Sequence, residues 1–261
     1  MRIIDIHTHI YPPQIAKKAS ESICTFYDLH GSGMDGTVEQ LLIQGKKAGI
    51  DRFVVLPVGI KPDRVRHVND FILEETAKEP KFIGFGTVHA HMENLLDEVE
   101  YIIGKGLKGI KMHPDSQRFA IDDPRLLPVY DRLQGKLPIL LHMGDQRYNY
   151  SHPVKLRKIL DQFPRLQVIA AHFGGYSMYE TAYELLHDTD CIFDISSSMM
   201  FMPQGIAESY INRYGASRMA YGTDYPLWNP SIEVKRFQRL KLTEEQFDQI
   251  SHKTAEEILG L

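Results

Sequence analysis

Arg2-Ile-Ile-Asp-Ile-His-Thr-His9 opens the chain with a short β-type apolar run that ends in two histidines one residue apart. Side chains at i and i+2 of a strand project to the same side. His7 and His9 therefore aim two imidazoles from one rigid element toward a common point, the arrangement a divalent cation requires. Alone, a His-x-His pair says little, because surface loops produce it by chance. Its weight comes from repetition. Further apolar runs end in a side chain able to ligate a metal or carry a proton: Lys111 and His113 after Gly109-Ile110, His142 after Pro138-Ile-Leu-Leu141, His172 after Val168-Ile-Ala-Ala171, and Asp224 after Met219-Ala-Tyr-Gly-Thr223. The repetition predicts a metalloenzyme.

Eight runs rich in Ile, Val, Phe and Leu can be counted, at Arg2–Ile6, Phe53–Pro57, Phe82–Val88, Gly109–Met112, Ile139–His142, Val168–Ala171, Cys191–Ile195 and Met219–Gly222. Runs that stay apolar without alternation suit parallel strands covered by helices. Segments with helical spacing lie between them. Thr37-Val-Glu-Gln40 reads as a capping box for a helix through Lys47, stopped by Gly49. Asp123-Pro124 supplies an N-cap and an N1 proline before Leu126–Leu133, closed by Gly135, and Met92–Ile103, Pro153–Phe163 and Tyr179–His187 are similar. Thr243-Glu-Glu-Gln246 and Thr254-Ala-Glu-Glu257 read as capping boxes of two terminal helices. Such alternation predicts a parallel α/β sheet closed as a single (β/α)8 TIM barrel. An open doubly wound sheet would carry a glycine-rich phosphate loop after an early strand, and none is present. The longest stretch without periodicity, Tyr11–Gly36, reads as a long loop after the first strand that arches over the barrel mouth as a candidate lid.

The bulk numbers narrow the function. With 261 residues, 43% hydrophobic and 25% charged, the chain can bury a large core, and no linker-like segment divides it, so one domain is expected. A net charge of −4, without a basic run, argues against nucleic acid as a partner. Cys24 and Cys191 form no C-x-x-C pair and read as inert thiols of a reducing compartment. No stretch approaches the roughly 18 consecutive apolar residues of a membrane span, and no leader pattern opens the chain. A soluble cytoplasmic protein acting on a small molecule is the expectation, and a homodimer would be compatible with it.

In a barrel of this kind the active site lies at the C-terminal ends of the strands. Every polar residue singled out above stands at that end of its run. His7 and His9, paired with Asp224 after the last strand, read as metal ligands, and Asp224 also as general base. His142 reads as a ligand, because an imidazole after so apolar a run needs a partner. His172 divides between ligand and hydrogen-bond donor to substrate. Lys111 either pairs with a carboxylate or, carbamylated, bridges two ions. Asp5 reads as support, and His113 as lining the pocket or holding its loop. Gln117, Arg118, Arg147, Tyr148 and Ser196–Ser198 are candidates for reading the substrate, an arginine there suiting a carboxylate. His30, His67, His152, His187 and His252 are set aside, and His89 and His91 line the pocket at best.

At these residues the chain resembles the amidohydrolase superfamily, specifically the amidohydrolase-2 group of metal-dependent TIM-barrel hydrolases. The resemblance runs through Asp5-Ile-His-Thr-His9, Gly106-Leu-Lys-Gly-Ile-Lys-Met-His-Pro114, Leu141-His-Met-Gly-Asp145, Ala171-His-Phe-Gly-Gly175 and Tyr221-Gly-Thr-Asp-Tyr-Pro226, nearly the whole chain. It implies metal ligands at His7, His9, His142 and Asp224, and His172 as catalytic residue or second-metal ligand. It also places Lys111 where binuclear relatives carry a carbamylated lysine. One departure is visible: relatives usually carry an asparagine near Lys253-Thr254, so here Thr254 is expected to supply the cap.

The main expectation is a hydrolase that cleaves an amide, lactone or ester bond of a small, carboxylate-bearing substrate with metal-activated water. Zinc is the leading ion, one or two per chain, with manganese, iron or cobalt also acceptable to His and carboxylate ligands. The alternative is a metal-dependent, non-oxidative decarboxylase of an aromatic or related unsaturated acid. Decarboxylases of the group resemble longer chains, which tilts the expectation toward hydrolysis. A phosphoesterase or nuclease barrel and a barrel reduced to a binding module are the remaining readings. The acidic balance counts against the first, and the complete set of candidate ligands against the second.

Overall fold

The computed structural model describes residues 2–29 and 33–261. Its strands are β1 (Ile4–Thr8), β2 (Arg52–Val55), β3 (Phe82–Gly84), β4 (Gly86–Thr87), β5 (Ile110–Met112), β6 (Ile139–Leu141), β7 (Val168–Ala170), β8 (Ile192–Asp194) and β9 (Met219–Ala220). All pairings are parallel, in the orders β1-β2-β3 and β4 to β9. β3 and β4 are one extended run interrupted at Phe85, whose amide donates to Val55 O (3.1 Å) while that of Gly86 donates to Gly109 O (2.9 Å). The ring closes between first and last strands through Ile6 N to Tyr221 O (2.9 Å), Asp224 N to His7 O (2.8 Å) and His9 N to Tyr225 O (2.7 Å). The result is the TIM barrel expected from the alternation, each of its eight staves being one of the apolar runs.

Among the described residues, twelve α-helices accompany the strands: α1 (Pro13–Tyr27), α2 (Val38–Ala48), α3 (Val65–Lys78), α4 (Leu95–Gly104), α5 (Pro114–Gln117), α6 (Leu127–Leu133), α7 (Pro153–Gln162), α8 (Tyr179–Leu186), α9 (Ile206–Tyr214), α10 (Pro230–Gln238), α11 (Glu244–Asp248) and α12 (Thr254–Leu259). Two buried clusters follow from this layering. The larger fills the space between strands and helices; the smaller includes Ile4, Ile6, Val54, Ile83, Phe85, Leu140 and Ile169 inside the barrel, with Ala255 and Leu259 of α12 packed onto it. Phe85 has room because residue 109 is glycine, where a Cβ would stand 2.4 Å from its ring.

Three local expectations need correction. The segment after β1 is not a loop: 15 of its residues form the amphipathic helix α1, whose apolar spacing through Ala16, Ala19, Ile23 and Tyr27 follows Pro13, although only Ala16 and Ser20 are buried. Thr254 caps nothing, because the chain passes helically from α11 through a π-turn at Gln249–Lys253 into α12. Its hydroxyl instead donates to Ser217 O (3.4 Å). At α2 the capping box is half formed: Thr37 accepts from Gln40 N (3.3 Å), but the Gln40 side chain accepts from Asp35 N (2.5 Å). The box at Thr243 is complete. His30 lies outside the described residues. Among the described residues no helix is long and apolar enough to cross a membrane.

Candidate metal centre and substrate cavity

β1 carries a register shift against β2 between Asp5 and Thr8. Ile4 and Ile6 belong to the interior cluster, and the shift lets His7 and His9 join that side at the mouth, the re-aiming a bulge provides. The carboxylate of Asp5 turns away to hold the loop before Asp224. It accepts from His7 N (3.1 Å), Thr223 N (2.9 Å) and Thr223 Oγ1 (2.6 Å), and burial raises its pKa to about 7. Sequence spacing alone does not reveal the shift.

His7, His9 and Asp224 come together as a buried set whose ligand atoms lie within 4.8 Å of one another. Each imidazole is oriented from behind, an orientation that aims a donor set able to hold a cation. His7 Nδ1 meets Asp194 Oδ2 at 2.8 Å, and His9 Nδ1 meets the Leu56 carbonyl at 2.7 Å. Both acceptors demand a proton on Nδ1, so each Nε2 presents a lone pair. Both lone pairs face Asp224 Oδ1, at 3.6 Å from each Nε2. Two lone pairs and a carboxylate oxygen aimed at one another repel unless a positive charge sits among them. Lys111 supplies one here, its Nζ 3.0 Å from His7 Nε2, although burial pulls its pKa down to about 8. Burial likewise lowers His7 to about 4, keeping it neutral and able to ligate. Burial alone would raise Asp224, but the charge it shares with the surrounding imidazoles of His7, His9 and His172 holds its pKa well below the carboxylate range.

The backbone at this rim is strained. His172, Phe173, Ser197, Asp224 and Arg118 all have φ between 49° and 60°, a conformation that costs about 1–3 kcal/mol per non-glycine residue and persists where a site imposes it. Asp224 is further fixed by a short hydrogen bond from Ser197 Oγ, which in turn accepts from Trp228 Nε1 at 2.8 Å.

His142 and His172 stand beside the set. His172 Nδ1 bonds the Ser196 carbonyl (3.0 Å), its ring stacks on His7 at 5.1 Å, and its Nε2 lies 3.0 Å from His142 Nδ1. His142 thus shows Nδ1 to the His7–His172 side. Its Nε2 faces the Tyr27 hydroxyl (3.1 Å) and Asp115 Oδ2 (3.8 Å), and its ring stacks on His113 at 4.0 Å.

A cavity of about 390 Å³ opens over this floor, lined by His7, His9, Lys111, His113, His142 and Asp224 below. Its walls are largely apolar, with Ile23 and Phe26 from α1 facing Val58, Ile60 and Leu227. Arg118 stands at the rim, exposed and without an ion pair among the described residues.

Other expected substrate readers are occupied elsewhere. His172 and Ser196–Ser198 do not line the cavity. The side chain of Gln117 bonds Gly59 O, Val88 O and His113 N. Arg147 pairs with Asp145 (2.7 Å) and donates to the Phe26 carbonyl (2.6 Å), fastening the last turn of α1, while Tyr148 stacks on Phe26 outside the cavity. His89 and His91 also lie outside it. Sequence reading missed Tyr11, Phe26 and Tyr27, although Ala16, Ala19, Ile23 and Tyr27 at helical spacing after Pro13 were a signal for α1.

Histidines and a carboxylate converging at the C-terminal rim of a parallel barrel define a metal-dependent barrel enzyme. A family model described as amidohydrolase matches residues 4–261, and the chain belongs to that family, the amidohydrolase-2 group. No curated protein matches the sequence. Solved structures share the fold. An uncharacterised TIM-barrel protein of Bordetella bronchiseptica is 18% identical at a TM-score of 0.82, covering 100% of this chain and 99% of its own. The 5-carboxyvanillate decarboxylase of Sphingomonas paucimobilis is 15% identical at 0.79, again over 100% and 99%. A dihydroxybenzoic acid decarboxylase of Polaromonas sp. JS666, solved with manganese and the inhibitor 2-nitroresorcinol, is 15% identical at 0.75, over 99% and 97%. The matched decarboxylases align over nearly their whole lengths, so chain length no longer speaks for hydrolysis.

Proposed function

We propose that this chain is a metal-dependent, non-oxidative decarboxylase of a hydroxylated aromatic acid or a related unsaturated acid. The observation that carries this reading is the cavity: apolar walls sized for a planar ring, a His/His/Asp floor, and one unpaired guanidinium at the rim. Decarboxylases of dihydroxybenzoate and carboxyvanillate with the same fold are in keeping with it.

His7, His9 and Asp224 would hold the ion, with His142 on the same side through Nδ1. Zinc is the expected ion on donor chemistry, with manganese, iron or cobalt as alternatives. When bound, it supplies the positive charge that fixes a carboxylate and a neighbouring oxygen. Arg118 draws the acid to the mouth through charge-assisted hydrogen bonds. Ile60, Phe26 and Leu227 set the ring plane and exclude water. Asp224, held as a carboxylate, takes the proton of the ring hydroxyl and returns it to the carbon that bears the carboxyl group. That carbon–carboxyl bond then breaks, its electron pair stays with the ring, and carbon dioxide leaves.

Hydrolysis is the second reading, and one observation favours it. Lys111 sits on the cluster with its pKa lowered, as an amine that can be carbamylated to join two ions would. The test is a screen of zinc- and manganese-loaded protein against hydroxybenzoates for carbon dioxide and against lactones and amides for hydrolysis, with and without chelator. Chelator-sensitive carbon dioxide release is expected. Lactone or amide cleavage without it would replace this reading by the second.

A further inference from the structure

We propose that Tyr27, carried over the barrel mouth by the end of α1, is a substrate-facing hydrogen-bond donor whose hydroxyl is turned into the cavity when the ion site is filled. The inference rests on the reading above that His142 helps to hold the ion. It starts from a chain of contacts whose proton directions can be worked out one by one. Ser116 N donates to His113 Nδ1 at 3.3 Å, so a neutral His113 carries its proton on Nε2 and donates to the Tyr27 oxygen 2.8 Å away. At the other end His172 Nδ1 gives its proton to the Ser196 carbonyl, leaving a lone pair on Nε2, 3.0 Å from His142 Nδ1.

Only His142 between them is undetermined. Without an ion its Nδ1 carries the proton and donates to His172, so its Nε2 accepts from the Tyr27 hydroxyl at 3.1 Å. The phenol proton is then spent on His142. An ion requires the lone pair on the Nδ1 side instead, and the proton of a neutral imidazole moves to Nε2. His142 becomes a second donor to the Tyr27 oxygen, beside His113. A phenol has one proton, and with both imidazoles donating to its oxygen that proton has one direction left, the cavity that Tyr27 lines. The acceptor there is an anionic oxygen of the substrate, a phenolate or carboxylate. Arg147 fixes the position by bonding the Phe26 carbonyl, so the hydroxyl arrives with the helix end already anchored.

The test is made on the intact protein labelled with 15N-histidine, whose tautomers are read by two-bond 1H–15N correlation without zinc and with it. His113 is expected to carry its proton on Nε2 in both forms, and His142 to switch from Nδ1–H to Nε2–H on loading. A His142 that keeps its proton on Nδ1 in the zinc form overturns the proposal, as does a His113 protonated on Nδ1. Tyr27→Phe then measures the donor: zinc content unchanged, affinity for salicylate by calorimetry lowered roughly tenfold. Unchanged affinity contradicts the proposal. If salicylate fails to bind the wild-type protein, the decarboxylase reading falls while the tautomer result still decides this one, as it does if the phenylalanine variant misfolds.

Discussion

The two sides of the cavity are built in opposite ways. On one side His7, His9 and Asp224 stand on adjoining barrel staves, each locked by a buried partner: Asp194, the Leu56 carbonyl and Ser197. On the other side α1 buries two of its 15 residues and is tied down by Arg147 and a group of aromatic rings. The first side is a rigid charge trap, and the second an adjustable cover. Groups held in fixed geometry stand on strands, and the wall of the cavity opposite them rests on a helix with few buried residues.

The deepest cut on the rigid side is Asp224→Asn. It should lower kcat by about 10³-fold or more while part of the metal remains, as measured by steady-state assay beside elemental analysis. Wild-type turnover would refute its role. Replacing His7 and His9 together by alanine should empty the site, with bound metal falling from stoichiometric to background. Retained metal would move the centre elsewhere, and the set His113, Asp115 and His142 is where to look.

At the rim, Arg118→Ala should raise KM for an acid substrate roughly tenfold, the worth of one charged hydrogen bond, with kcat nearly unchanged. Behind the rigid side, buried Glu233 on α10 has its pKa raised to about 7, chiefly by burial and against the pull of Arg236. The folded state therefore binds this proton more tightly than the unfolded chain. Stability is greatest below about pH 4.5 for this group and is lost as pH rises toward 7, by about 1–3 kcal/mol. Glu233→Gln should flatten that slope in urea titrations between those pH values. On the adjustable side, Arg147→Ala should cost about 1 kcal/mol and speed amide exchange at the end of α1, leaving β1 protected. Equal acceleration in both would erase the contrast.

The same contrast explains what could be read in advance. Strand ends announce themselves, because an apolar run that stops at His142 or Asp224 leaves that side chain no place but the mouth. The barrel itself was legible for the same reason, through eight runs of the right length. α1 left a signal too, Ala16, Ala19, Ile23 and Tyr27 at helical spacing after Pro13. That stripe faces the cavity rather than a core, with only Ala16 and Ser20 buried, and the loop reading missed it. Arg147 looked like a substrate reader because its pairing with Asp145 and with a carbonyl of α1 depends on that unseen helix. The register shift in β1 was hidden: Asp5 shares the spacing of His7 and His9 but not their face. Thr254 misled because Thr-x-x-Glu also occurs in mid-helix, where no free amides need a cap.

Diffraction from manganese-soaked crystals at the manganese absorption edge puts the central claim to the most direct test. An anomalous peak within bonding distance of His7 Nε2, His9 Nε2 and an Asp224 oxygen is the predicted result. No peak there, or one confined to His113, Asp115 and His142, would contradict the account.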